Sequence, residues 1–114
     1  MMGEMEFTSR ITKEMKDCNA MIYPLIQYSK TEGAHRFGVP KGWPDRYVAH
    51  RYYQGFLEFK GAKTRIIQEQ RYIISELRNR GVNVYVIREP NIIEGEGTFD
   101  STGLGLLKKL RDLI

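Results

Sequence analysis

The chain has 114 residues, 41% hydrophobic and 28% charged, a composition that suits one domain with a single modest core and excludes whole-chain disorder. A net charge of +4 and a pI of about 9.3 favour a polyanionic partner such as nucleic acid. One cysteine excludes an internal disulfide framework and a cysteine-rich zinc site, and no apolar run approaches the ~18 residues of a membrane span.

The opening MMGEMEFTSR carries acids where a signal peptide needs a basic and then an apolar stretch, so the chain reads as cytoplasmic, with no membrane partner. Phe7, Ile11, Met15 and Cys18 follow at steps of four, four and three, which predicts a first helix with one apolar stripe and makes Cys18 a buried structural thiol. Residues 19–30 read as β, with Pro24 confining that strand to a sheet edge or interrupting it. Residues 31–44 are dense in Gly and Pro and read as a loop.

From Arg46 the pattern turns β again. Residues 46–53 and 56–60 make a hairpin around a turn at Gln54-Gly55. Residues 64–81 form the clearest helix, with Thr64 as N-cap, Ile66, Ile67, Ile73, Ile74 and Leu77 as its apolar face, and Gly81 as its stop. Residues 82–90 are apolar on both faces, as an interior strand covered by helices should be. Residues 91–103 read as a polar glycine-rich loop, and the last stretch as an amphipathic helix (Leu104, Leu107, Leu110, Ile114) whose start two glycines weaken. That helix either packs on the core or forms a dimer contact. The order α-β-β-β-α-β-α, with a long helix before the buried strand, predicts an α/β fold: residues 1–114 as a single domain with a mixed central β-sheet flanked by helices.

The hairpin carries the chemistry. In a strand, residues i and i+2 share a face about 6.6 Å apart, so Glu58 and Lys60 point one way while Leu57 and Phe59 point into the core. Asp45 enters at the foot of the partner strand, where the hairpin brings its carboxylate beside that of Glu58. Two carboxylates so placed repel unless a cation neutralises them, and Mg²⁺ suits oxygen ligands, to which the Phe59 carbonyl adds a third. Lys60 on the same face can position a water or stabilise charge on a phosphate. Gln70 stands between Ile66 and Ile73 on the core-facing stripe of the following helix, where its amide needs partners and can reach the acids. A Glu-x-Lys pair is also the pattern of a solvated ion pair worth ~0–1 kcal/mol, so the reading depends on all four residues meeting.

Pro44-Asp45, Glu58-Phe59-Lys60 and Gln70 resemble the PD-(D/E)XK nuclease pattern, and more narrowly its VRR-NUC branch with its stand-alone phage-type relatives. The pieces GWPD, LEFKG, RIIQEQRYIISELRNRG and VNVYVIRE carry the likeness, which is tight over residues 42–90 and looser over the first 25. The resemblance implies a small restriction-endonuclease-like core and a Mg²⁺- or Mn²⁺-dependent DNA endonuclease. It implies metal bound by Asp45, Glu58 and the Phe59 carbonyl, Lys60 as the catalytic lysine and Gln70 as the motif glutamine. It also implies a first-helix glutamate among the metal ligands: Glu4 by its spacing to Phe7 and Ile11, with Glu14 the competitor. Such relatives often act as homodimers on branched DNA such as a Holliday junction.

Arg10, Lys13, Arg36, Lys41, Arg46, Arg51, Lys63, Arg65 and Arg71 surround or flank the proposed site in sequence, and Arg10, Lys41, Arg46, Lys63 and Arg65 are the candidate phosphate contacts. Trp43, Tyr47, Tyr52 and Tyr53 interleave with them and either stack on unpaired bases or pack in the core. His35 and His50 lack zinc spacing and are either DNA-contacting or structural. Two other classes compete with the nuclease: a nucleic-acid-binding module of the same fold without activity, and an interaction protein whose Glu58–Lys60 pair is a surface salt bridge.

Overall fold

The computed structural model describes residues 3–26 and 38–114. Six strands form one mixed sheet in the spatial order β1-β2-β3-β4-β5-β6: β1 (Met21–Pro24), β2 (Arg46–His50), β3 (Tyr53–Lys60), β4 (Val84–Arg88), β5 (Ile92–Ile93) and β6 (Gly97–Thr98). Neighbours are antiparallel except β3 and β4, which run parallel and are joined by helix α2 (Gln68–Asn79). The fold is therefore α/β with a mixed sheet flanked by helices, as the order of elements predicts. No helix of the described residues is long and apolar enough to cross a membrane.

Two apolar layers sandwich the sheet because successive strand residues face opposite sides. Leu57, Phe59 and Ile87 point toward α1 (Glu4–Asp17) and α3 (Gly103–Leu113), meeting Phe7, Ile11, Met15, Leu106, Leu107 and Leu110. On the other face Val84 and Val86 meet Ile74 and Leu77 of α2, with Phe56 and Trp43 packed against them. Each such side chain withdrawn from water contributes about 1.5–3 kcal/mol. The α3 face thus serves the core, while Leu104 and Ile114 stay exposed. Cys18 is half-buried at the end of α1 against the same core. β1 is an edge strand, where Pro24 costs no interior ladder bond. The strand reading beyond Ile26, and His35 and Arg36 with it, lie outside the described residues.

Three local expectations are corrected. The hairpin turns at Arg51-Tyr52, and Gly55 lies within β3 opposite Val48. A Cβ at Gly55 would strike the carbonyl and side chain of Asn83, the residue before β4, so this glycine serves close backbone approach rather than a turn. Helix α2 begins at Gln68 with Ile67 as N-cap, not at Thr64. The Arg88 guanidinium donates to the carbonyls of Gly61 and Thr64 and keeps residues 61–67 out of the helix. Residues 91–103 are not a loop throughout, for β5 and β6 add a short hairpin to the sheet edge.

The glycines that weaken the start of α3 as an isolated helix have a tertiary use. A Cβ on Gly103 would lie 2.5 Å from the Met15 nitrogen and 2.7 Å from the Glu14 carbonyl carbon. Only glycine lets the two helices approach so closely, and the Gly103 N–H donates to Glu14 Oε1 at 2.9 Å. Thr102 caps the helix by accepting from the Gly105 N–H at 2.9 Å. Gly103→Ala should cost about 1–3 kcal/mol by overpacking, read as a lower urea midpoint. An unchanged midpoint would show that the helix pair can separate freely.

Candidate active site

The register of the hairpin assembles the site. Arg46 pairs with Leu57, so the residue before it, Asp45, arrives opposite Glu58. The Asp45 carbonyl accepts from the Leu25 N–H at 2.8 Å, which ties the loop end to β1. Along β3, the Phe56 N–H donates to Asn83 and the Lys60 carbonyl accepts from the Glu89 N–H, so the even-numbered residues spend their backbone groups on β4. Phe59 presents its N–H and carbonyl to the other side, where β2 has ended. There its N–H donates to Asp45 Oδ1 at 3.3 Å.

Glu58 and Lys60 stand on the α2 side of the sheet, as alternation requires, and both are almost fully buried. Lys60 Nζ lies 3.6 Å from Glu58 Oε2. Gln70 Nε2 donates to the same oxygen at 3.3 Å, and its Oε1 accepts from the Ile67 N–H at 3.1 Å. One glutamine thus caps α2 and holds a carboxylate of the site. The four residues singled out on the hairpin and helix meet at one place. Gln70→Ala removes both bonds and should cost about 1–3 kcal/mol, measured by denaturant unfolding. A variant as stable as the parent would mean that neither bond contributes.

Electrostatics set this cluster apart from a surface salt bridge. Burial raises Asp45 to about 6, against the opposing pull of Arg46, the Phe59 N–H and Lys60. Burial, together with the nearby Asp45 charge, raises Glu58 to about 7 against the opposing pull of Lys60. The buried Glu58 and the half-buried Asp45 share a pocket with the Lys60 ammonium, and the Arg46 guanidinium stands 3.7 Å from the Asp45 carboxylate on its outer side. A hard divalent cation fits this donor set, with two carboxylates and the Phe59 carbonyl on the β2 side as its oxygen ligands. Among the described residues no three His, Cys, Asp or Glu side chains gather closely enough to hold a cation by themselves. The remaining ligands of such an ion would be the carbonyl and water.

The first-helix acids separate clearly. Glu4 lines a cleft of about 400 Å³ with Thr8, Ser9, Asp45 and Arg46, and its side chain passes by Gly61 at the end of β3. Glu14 is bound to Gly103 and, at 3.0 Å, to Arg10, so it serves the α1–α3 junction instead. Arg10 is committed there too, its guanidinium donating to the Ser101 carbonyl at 2.8 Å. It is therefore not placed to meet DNA at the acids. Arg46 donates to the Asp45 carbonyl at 2.9 Å and lies 3.7 Å from its carboxylate. Lys41 is exposed beside the first turn of α2, and Lys63 and Arg65 are exposed on the segment leading into it.

Comparison with family models, curated proteins and solved structures finds no match to this chain. The site therefore stands on its own geometry.

Several other residues are structural. His50 sits within 2.9 Å of the Cys18 carbonyl through Nε2 and accepts from the Tyr52 N–H through Nδ1. Tyr53 is fully buried and donates to the Phe56 carbonyl, while Tyr52 lies under Arg111 at 4.9 Å. Sequence reading missed Arg88 and Glu89. Arg88 organises the segment before α2, and the Glu89 N–H pins the strand end that carries Lys60. The signal for both was present: two charged residues closing a strand that is otherwise apolar on both faces. A groove of about 500 Å³ between α2 and the β5–β6 hairpin, lined by Ile66, Arg71, Ile74, Arg78, Val86 and Glu94 among others, is roomier than the cleft beside Asp45 but includes neither Asp45 nor Glu58. We assign the chemistry to the acids, because charge and hydrogen bonding converge there.

Proposed function

We propose that the protein is a Mg²⁺- or Mn²⁺-dependent endodeoxyribonuclease of the PD-(D/E)XK type, closest in pattern to the VRR-NUC family, that hydrolyses phosphodiester bonds in branched DNA. The observation that carries this reading is the meeting of Asp45, Glu58, Lys60 and Gln70, with both acids raised in pKa and the lysine held against one of them. The parallel β3–α2–β4 unit beside an antiparallel hairpin supports a restriction-endonuclease-like core.

Asp45, Glu58 and the Phe59 carbonyl would hold the divalent cation, which when bound polarises a phosphate and lowers the pKa of an attacking water. The chain's own groups do the rest. Lys60 keeps an ammonium within a desolvated pocket, where it can steady a water or the growing charge on a phosphate oxygen. Gln70 holds the Glu58 carboxylate in one orientation. Glu4 borders the same cleft from α1 and is the acid available to a water or a second ligand position. Lys41, Lys63 and Arg65 supply exposed positive charge for backbone phosphates. A homodimer would present two such sites to the opposed strands of a junction.

The test is a cleavage panel of four-way junction, flap, nicked and linear DNA with Mg²⁺, Mn²⁺ or EDTA. Cutting with either cation and none in EDTA is expected. Affinity for branched DNA with no cutting at any pH from about 7 to 9 would sink the enzyme reading and leave a binding module of the same fold. That second reading is favoured by one observation, the lack of a third acid against the pair among the described residues.

A further inference from the structure

The α2 side of the sheet is not covered evenly. α2 lies over β3 and β4, while the same face of β1 and β2 carries no helix among the described residues. An antiparallel sheet face left to solvent is ordinarily polar. This one presents Met21, Tyr23 and Ala49, with Tyr47 beside them, and no charged side chain from either strand. Met21 is 55% exposed, Tyr23 54% and Tyr47 37%. Tyr23 and Tyr47 are directly opposite in register, which sets their Cβ atoms about 4.5–5.5 Å apart. The row continues inward: Tyr47 meets Phe56 edge-on at 5.3 Å, and Phe56 meets Trp43 at 5.8 Å.

Two features identify the occupant. The row stands on the face that carries Glu58 and Lys60, and Tyr47 is only two residues from Asp45. Its flank toward α2 is polar and of both signs, with Lys41 exposed next to Trp43 and Glu69 and Glu76 of the helix beside them. Contiguous exposed apolar surface of this kind marks an interaction site. A partner that brings a phosphate to the cation site proposed at Asp45 and Glu58 and flat apolar rings to Tyr23 and Tyr47 is a nucleic-acid strand. Paired bases have their faces stacked within the duplex, so only unpaired bases offer a ring to these tyrosines.

We propose that Tyr23 and Tyr47 form a stacking platform for unpaired bases of a DNA strand that approaches Lys60. The platform would direct the site to single-stranded arms or gaps of a branched substrate rather than to continuous duplex. The inference rests on the nuclease reading for the position of the cut, but its binding test does not require turnover.

The experiment compares binding, in Ca²⁺, of a fluorescent fork with two oligo-dT arms and of a blunt duplex with the same stem. The parent should prefer the fork by about tenfold or more. Tyr23→Leu/Tyr47→Leu should weaken fork binding about tenfold without changing duplex binding, and Tyr23→Phe/Tyr47→Phe should retain the preference. Equal affinity of the parent for fork and duplex overturns the proposal, as does unchanged fork binding by the leucine variant. Loss of a dimer in sedimentation of that variant, with fork binding intact, would assign the face to a second copy. Iodination of both tyrosines only after residues 27–37 are replaced by a Gly-Ser linker would assign it to that segment. Either result overturns the platform. Cleavage by the leucine variant at the parental rate with parental fork preference sinks the platform alone. Tyrosine-dependent fork binding by a protein that never cuts supports the platform and sinks the nuclease.

Discussion

Asp45→Asn should lower cleavage by about 10²- to 10³-fold or more while leaving the protein at least as stable as its parent near pH 7. The two effects have one cause. Asp45 is pushed up to about 6 chiefly by burial, and its charge in turn raises Glu58. An amide keeps the size and can still accept from the Phe59 N–H, but it removes a half-buried charge and the repulsion on Glu58. The same change removes the ligand that a cation needs. Lys60→Met is the informative contrast. It should abolish cutting to a similar degree and destabilise, because Glu58 loses the ammonium 3.6 Å away that opposes its raised pKa. Single-turnover cleavage and thermal melting of both variants at pH 7.5 read these quantities. An Asp45→Asn protein that cuts like its parent would remove Asp45 from the mechanism. A Lys60→Met protein more stable than its parent would refute the account of the pocket's charge.

The second large effect concerns pH and metal together. Both acids titrate higher in the folded protein than their ordinary values of 3.8 and 4.5, reaching about 6 and about 7. The folded state therefore binds more protons than the unfolded chain across that window. Stability from these two groups is greatest below about pH 4 and declines as pH rises to about 7. A divalent cation that binds only the folded site reverses the decline where the acids are ionised. With EDTA, the melting temperature should fall between pH 5 and pH 8 by more in the parent than in Asp45→Asn/Glu58→Gln. Saturating Mn²⁺ should raise the parent's melting temperature by several degrees at pH 8, and by little at pH 5. The double variant should show neither response. A parent whose melting temperature ignores Mn²⁺ at pH 8 would contradict a cation between Asp45 and Glu58.

Local patterns carried much of the fold because they reflect forces that act within an element. Steps of four from Phe7 to Met15, alternation through Leu57 and Phe59, and the two-sided apolar run after Gly81 each report a burial period that the backbone imposes. The hairpin distance from Asp45 to Glu58 and the core-facing position of Gln70 were legible for the same reason. The departures fall where a partner distant in sequence outweighs a local preference. Gly55 looks like a turn until Asn83, just before the neighbouring strand, is beside it, and Thr64 looks like a cap until Arg88 holds residues 61–67 out of the helix. Glu4 and Glu14 flank the same stripe, and spacing favoured Glu4 without excluding Glu14. Only the packing of α1 on α3 sends one to Gly103 and leaves the other beside Asp45. The sequence by itself determined which residues can bear charge and which must be buried, since those are properties of side chains and their period. The tertiary structure decided which charges meet and how far their protons are displaced, since desolvation and Coulomb energy depend on distances that no local pattern contains.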